Sequence, residues 1–137
     1  MPDLTLRLPT KVEYPITSNF TMHLQRTPPS KAPGVDFAIP AGCQVLAAAP
    51  GRVTRCEWSD AGGRYLVIHH PELVEGAEGV YTFYCHLRAV WRVVGEAVDA
   101  GELVGLSGNT GRSTAPHLHF ALKIAGEWVD PIPHLDT

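Results

Sequence analysis

The 137-residue sequence predicts an all-β, mainly antiparallel fold. Its 13 glycines and 12 prolines recur between short apolar runs, which is the punctuation of many short strands rather than long helices. Runs such as RYLVIHH and VYTFYCHL have the β-branched and aromatic content of strands. In TAPHLHFAL, polar and apolar residues alternate. A strand there places His117 and His119 side by side on one face, with Leu118 and Phe120 pointing into a core.

The elements follow in order. DLTLRLP alternates and reads as an opening strand. Thr17 to Lys31 is polar, ends QRTPPSK and reads as a surface loop. GVDFAIPAG follows, then QVLAAAPGRVTRCEW, two strands broken by the turn at Pro50-Gly51. RYLVIHH and VYTFYCHL flank PELVEGAEG, an acidic stretch expected at an exposed hairpin tip. AVWRVVGEAVDAGELVGLSGNTG carries glycines at short intervals and predicts tight turns between short strands. The histidine strand and a final hairpin, ALKIAGEWVDP, complete the chain. No helix longer than a turn or two is expected.

The length suits one domain over residues 1–137, with a core that needs no cross-links. The formal net charge of -3 argues against a nucleic-acid partner, which calls for a basic face. With 45% hydrophobic and 18% charged residues the chain is globular. Cys43, Cys56 and Cys85 are odd in number and lack C-x-x-C spacing, so they encode no zinc knuckle. They read as buried thiols, with one disulfide open to a chain that matures outside the cytoplasm. MPDLTLRLPT lacks the basic start and apolar stretch of an export signal, and no apolar run is long enough to cross a bilayer.

Two imidazoles on one strand face can serve one metal ion or one substrate. Alone, the pair reads equally well as the wet side of a half-buried strand. Asp36 alone reads as a turn or capping residue, and His86 as a satisfied core or surface histidine. Their combination changes the reading. Asp36 in GVDFAIPAG, His86 in YCHL, then GELVGLSGNTG and PHLHF occur in the order and spacing of the M23 (LytM/lysostaphin-like) zinc metallopeptidases. The sequence resembles that family from about Tyr14 to Pro133.

The resemblance implies a β-roll, a Zn2+ cofactor and hydrolysis of peptide bonds in bacterial peptidoglycan. It implies Asp36 and His119 as metal ligands, and His86 and His117 as catalytic histidines. The chemistry is coherent: a catalytic zinc keeps one position for water and lowers its pKa, and imidazoles titrate near neutrality. It also implies action on the wall outside the cytoplasm as a monomer, by a phage endolysin released through a holin or a domain of a longer exported protein.

One position departs from the family. The remaining ligand is a histidine four residues before the aspartate, where this chain has Ala32. A tyrosine that many members carry nearby is also missing, with Arg26 in its vicinity. Two ligands predict weak zinc binding and impaired activity. Three readings remain: His23 swings in as a substitute; the chain binds wall or a partner, or regulates an amidase, without cutting; or an active-type scaffold has had one ligand substituted. The intact set Asp36, His86, His117 and His119 favours the last.

Of the other histidines, His69 and His70 alternate faces. His70 fits a position that often lines the site but reads more simply as a solvated turn residue, and His134 as exposed. Trp58, Trp91 and Trp128 read as core and hairpin packing. VGEAVDAGELVG also resembles the hairpins of biotinyl or lipoyl carriers. Those need a lysine at an exposed hairpin tip, and Lys11, Lys31 and Lys123 occupy no such turn.

Overall fold

A computed structural model describes residues 4–27, 30–71, 73 and 79–136. The strands are β1 (Leu6–Arg7), β2 (Ile16–Ser18), β3 (Val35–Phe37), β4 (Gln44–Leu46), β5 (Gly51–Ser59) and β6 (Gly63–His69). They continue with β7 (Val80–Val90), β8 (Ala97–Val98), β9 (Leu103–Ser107), β10 (Leu118–Ile124), β11 (Glu127–Val129) and β12 (Leu135–Asp136). One short helix, α1 (Phe20–Leu24), interrupts the segment expected to be loop, and a 3-10 turn covers Ile132–His134. The opening strand is shorter than DLTLRLP suggested; β1 pairs in parallel with β12. PELVEGAEG lies largely outside the described residues.

The main sheet runs β2-β3-β10-β7-β6-β5-β8, with β11 also on β10, and β9 pairing both β4 and β7. Every pairing within it is antiparallel. Alternation along β10 sends Leu118, Phe120 and Leu122 into a core shared with Val35, Phe37, Leu66, Ile68, Tyr84 and Leu87. Tyr84 meets Phe120 edge-on, with centroids 5.4 Å apart. The β10–β11 hairpin turns on Ala125 and Gly126, both with positive φ (51° and 82°), as a two-residue hairpin requires.

The irregularity of β7 against β6 positions the site. Tyr84 pairs with Leu66 and Leu87 with Arg64, so three steps on β7 match two on β6. The additional residue is a β-bulge. It resets the alternation, which lets Tyr84 and Leu87 both face the core although they are an odd number of residues apart. His86, at φ 66°, takes up the turn. A non-glycine residue there carries strain of about 1–2 kcal/mol.

Several expected surroundings differ. His70 is neither solvated nor in the groove: it is fully buried, with Nδ1–H donating to the Pro50 carbonyl at 2.7 Å. Its Nε2 accepts from Thr82 Oγ1 at 2.7 Å, Thr82 accepts from the Tyr84 hydroxyl at 2.8 Å, and Tyr84 accepts from the Ala48 N–H at 3.0 Å. The core can hold this polar chain because each member has a partner. His134 is buried rather than exposed, donating from Nδ1 to the Leu4 carbonyl at 3.0 Å. Trp58, next to the last residue of β5, and Trp91, just after β7, are more than half exposed; Trp128 packs on Phe83. The three cysteines are free, Cys85 buried and the others half-buried.

Burial pushes the His70 imidazole down to about 4, against an ordinary value of 6.5. Such a group takes up protons more readily once the chain unfolds. Its contribution is therefore complete above pH 6.5 and is lost as pH falls towards 4, by roughly 3 kcal/mol in all. Urea unfolding from pH 7 to 4 is expected to show a steeper loss for the parent than for His70→Gln. Parallel pH profiles would refute this origin.

Candidate active site

The register of β10 assembles the site. His119 pairs with Asp36 on β3 and with Cys85 on β7, and directly opposed residues share a sheet face. His117, one bridge outside β10 and opposite Gly108, looks the same way. Bulging at His86 swings its ring to that face, where it lies 4.4 Å from the His117 ring and 6.2 Å from that of His119, centroid to centroid. Cys85 shares the row, but burial pushes its thiol up to about 12, so it stays a neutral thiol.

The remaining member is His23, from α1. Its Nε2 stands 3.3 Å from Asp36 Oδ1, and His119 Nδ1 is 2.8 Å from the same oxygen. One donor atom from each of His23, Asp36 and His119 falls within 4.8 Å of the other two, and all three residues are buried. The structure thus brings a third donor to the place where Ala32 offers none, and it comes from a helical turn rather than an unstructured loop. Ala32 serves differently: its carbonyl accepts the His119 Nε2–H at 2.6 Å.

These backbone contacts decide what the rings can do. His23 donates Nδ1–H to the Asn19 carbonyl at 2.9 Å, so its neutral form presents a bare Nε2. That atom is buried without a hydrogen-bond partner. His119 donates from Nε2 to the Ala32 carbonyl and has Nδ1 hydrogen-bonded to Asp36 Oδ1 at 2.8 Å. Three donor atoms thus converge on one small buried space, where a cation would give His23 Nε2 the partner it lacks. Burial works to raise the Asp36 carboxyl, but the imidazoles of His119 and His23 outweigh it and hold the group well below the ordinary carboxylate range. Two imidazoles and a carboxylate, with the rings oriented by carbonyls, fit a zinc-type ion.

The other two histidines are oriented in the same manner. His86 donates Nδ1–H to the Thr110 carbonyl at 2.7 Å, leaving Nε2 free. Burial presses its pKa down to about 4, so it stands unprotonated at neutral pH. His117 donates from Nδ1 to the Ala115 carbonyl at 2.9 Å, with Ser113 Oγ at 3.1 Å, and turns Nε2 to within 3.8 Å of Asp36 Oδ1. The site thus has two proton acceptors beside a place for a cation.

Sequence reasoning missed the orienting groups: the carbonyls of Asn19, Ala32, Thr110 and Ala115 carry no side-chain signal. SGNTG was the only hint, as a turn. There Gly111 passes so close to Gly63 that a Cβ on it would sit 2.2 Å from the Gly63 nitrogen, and this contact holds Thr110 against His86. Arg26 donates from Nη2 to Ser18 Oγ at 2.9 Å and to Asp36 Oδ2 at 3.4 Å.

The profile of Peptidase family M23 matches residues 30–131. The chain is 40% identical over 99 residues to the DD-carboxypeptidase/endopeptidase Mpg of Neisseria meningitidis, covering 72% of this chain and 21% of that protein. It is 36% identical over 127 residues to the peptidoglycan DD-endopeptidase ShyA of Vibrio cholerae, covering 90% and 28%. Among solved structures, a zinc-containing peptidase from Vibrio cholerae superposes with a TM-score of 0.77 at 31% identity, covering 93% of this chain and 39% of the other. The chain spans a fifth to less than a third of these curated relatives' length.

The donor set predicts the outcome of substitution. His23→Ala, Asp36→Ala or His119→Ala should each weaken zinc binding on the order of a hundredfold or more in competition with a chelator. His86→Ala and His117→Ala should leave it within a few-fold. Equal losses from all five would show the donors to be misassigned, and an unaffected His23→Ala would return the gap to Ala32.

Proposed function

From the membership of this chain in peptidase family M23, we propose that it is a zinc-dependent endopeptidase cutting peptide bonds of bacterial peptidoglycan. The observation that carries this reading is the convergence of His23, Asp36 and His119 beside His86 and His117 on one sheet face. His23, Asp36 and His119 would hold the ion. When bound, zinc polarises the scissile carbonyl and acidifies the attacking water.

The chain's own groups handle the proton. Nδ1–H of both His86 and His117 is taken up by a carbonyl, so each offers a lone pair at Nε2. One Nε2 takes the proton as the water oxygen bonds to the carbonyl carbon. The resulting imidazolium returns it to the leaving nitrogen as the C–N bond breaks. The partner imidazole, 4.4 Å away by ring centroids, keeps its Nε2 lone pair and can accept a hydrogen bond from the remaining O–H of the attacking water, orienting it. The strained backbone at His86 is fixed by its N–H bond to the Gly62 carbonyl at 2.7 Å, which keeps the ring aimed before substrate arrives.

The substrate class rests on the relatives, whose names describe peptidoglycan DD-endopeptidase activity, and the place of action is accordingly the bacterial wall. The non-catalytic reading drew its support from Ala32; with His23 among the donors that support lapses.

Purified walls should lose turbidity and release new amino termini in the presence of the parent protein. A chelator should stop this and zinc restore it. His86→Ala or His117→Ala should lower kcat by about 10²–10⁴ with zinc still bound. A protein that binds zinc and walls yet releases no amines from any wall type would overturn the enzymatic reading.

A further inference from the structure

Helix α1 is the least anchored part of the site. It has five residues and one buried side chain, His23, while Met22 and Leu24 on either side are each 48% exposed. A helix this short has no stability of its own in water. Its N-cap Asn19 side chain accepts the Met22 N–H at 2.9 Å, a local contact that does not dock it on the sheet. What meets the sheet is the His23 ring, 3.3 Å from Asp36 and 4.7 Å by centroids from His119, together with the half-exposed Arg26 at Ser18 Oγ on β2 and at the Asp36 carboxylate.

Without a cation, that docking leaves a buried polar atom unsatisfied at its centre. His23 Nε2 is stripped of water and gains no hydrogen bond, which offsets much of what its 3.3 Å approach to Asp36 contributes. A metal ion turns the same contact into a bond. The family register would instead place the donor at Ala32. That residue lies beside Gly34, which packs so tightly on β10 that a Cβ there would be 2.2 Å from the Phe120 carbonyl oxygen. This chain has moved its third donor from a rigid position to a loosely held one.

We propose, resting on the metallopeptidase reading above, that the metal ion is what fastens α1 to the sheet. Docking of residues 19–27 and completion of the metal site are then one equilibrium. In the metal-free chain α1 stands away from the sheet, and the site lacks its third donor. Zinc concentration around the Kd sets the fraction of chains with a finished active site.

Hydrogen exchange read by mass spectrometry on the full chain, with chelator and with zinc, tests this. The amides of His23, Gln25 and Ser30 donate to Asn19, Thr21 and His23 carbonyls and report on the docked segment. At zinc a hundredfold above its Kd their exchange should slow about a hundredfold, the factor by which a ligand favours the state it requires. Amides of β6 and β7 should change far less. In the double variant His23→Ala, Ala32→His the donor sits on the rigid flank. Zinc should bind by chelator competition, but the α1 amides should exchange fast with or without it.

If the parent takes up zinc with α1 exchange unchanged, or with every strand slowed equally, the proposal is overturned and the metal reading stands. If the double variant binds zinc and still protects α1, something other than the ligand bond docks the helix, and the proposal is again overturned. Should the double variant bind no zinc, the parent's contrast between zinc and chelator decides alone, by the same two outcomes. A parent that takes up no zinc at all removes the metallopeptidase reading itself.

Discussion

The alignment of β10 between β3 and β7 is the constraint on which the site depends. Asp36, His119 and Cys85 stand in one row because antiparallel partners share a face. A slip of one residue would turn His119 into the core and Leu118, Phe120 and Leu122 towards solvent. The hydrophobic effect that buries those three side chains therefore also holds the histidine in place. Precision at the metal site is a by-product of core packing, and the polar cluster needs no separate device to find its register.

Two deviations from ideal strand geometry complete what regular pairing cannot. Alternation alone would send His86 to the core side of β7; the bulge and its positive φ reverse that. The strain is local, and the core residues Tyr84 and Leu87 on either side of it are fully buried. The Gly63–Gly111 contact then brings the Thr110 carbonyl to His86 Nδ1, so one tight backbone crossing both supports the bulge and selects the tautomer.

Backbone carbonyls play a common part across the cluster. Asn19, Ala32, Thr110 and Ala115 each take an N–H from one imidazole, and the opposite nitrogen of each ring is thereby aimed at the shared space. His70, by contrast, has both nitrogens satisfied within the core and belongs to the scaffold. Burial does not separate the two kinds of histidine, since His23 and His70 are equally buried; what separates them is whether the second nitrogen is spent within the core or turned to the Asp36 carboxylate.

Much of this was legible in the amino-acid sequence. Glycine and proline spacing, strand-forming runs and the alternation in PHLHF determined an antiparallel β fold, because short-range conformational preference and side-chain period are local properties. The order of Asp36, His86 and the His117–His119 pair determined the chemistry on offer. What tertiary structure alone decided was the third member of the cluster that could hold an ion. Spacing pointed to Ala32, and nothing local distinguishes His23, thirteen residues before Asp36, from a histidine on a surface loop. Its place beside Asp36 and His119 comes from where α1 lies against β3 and β10, a long-range packing result. The same holds for His70 and His134, whose surroundings are set by strands distant in sequence. A side chain's partners across a sheet are fixed by the whole fold, and no window of sequence contains them.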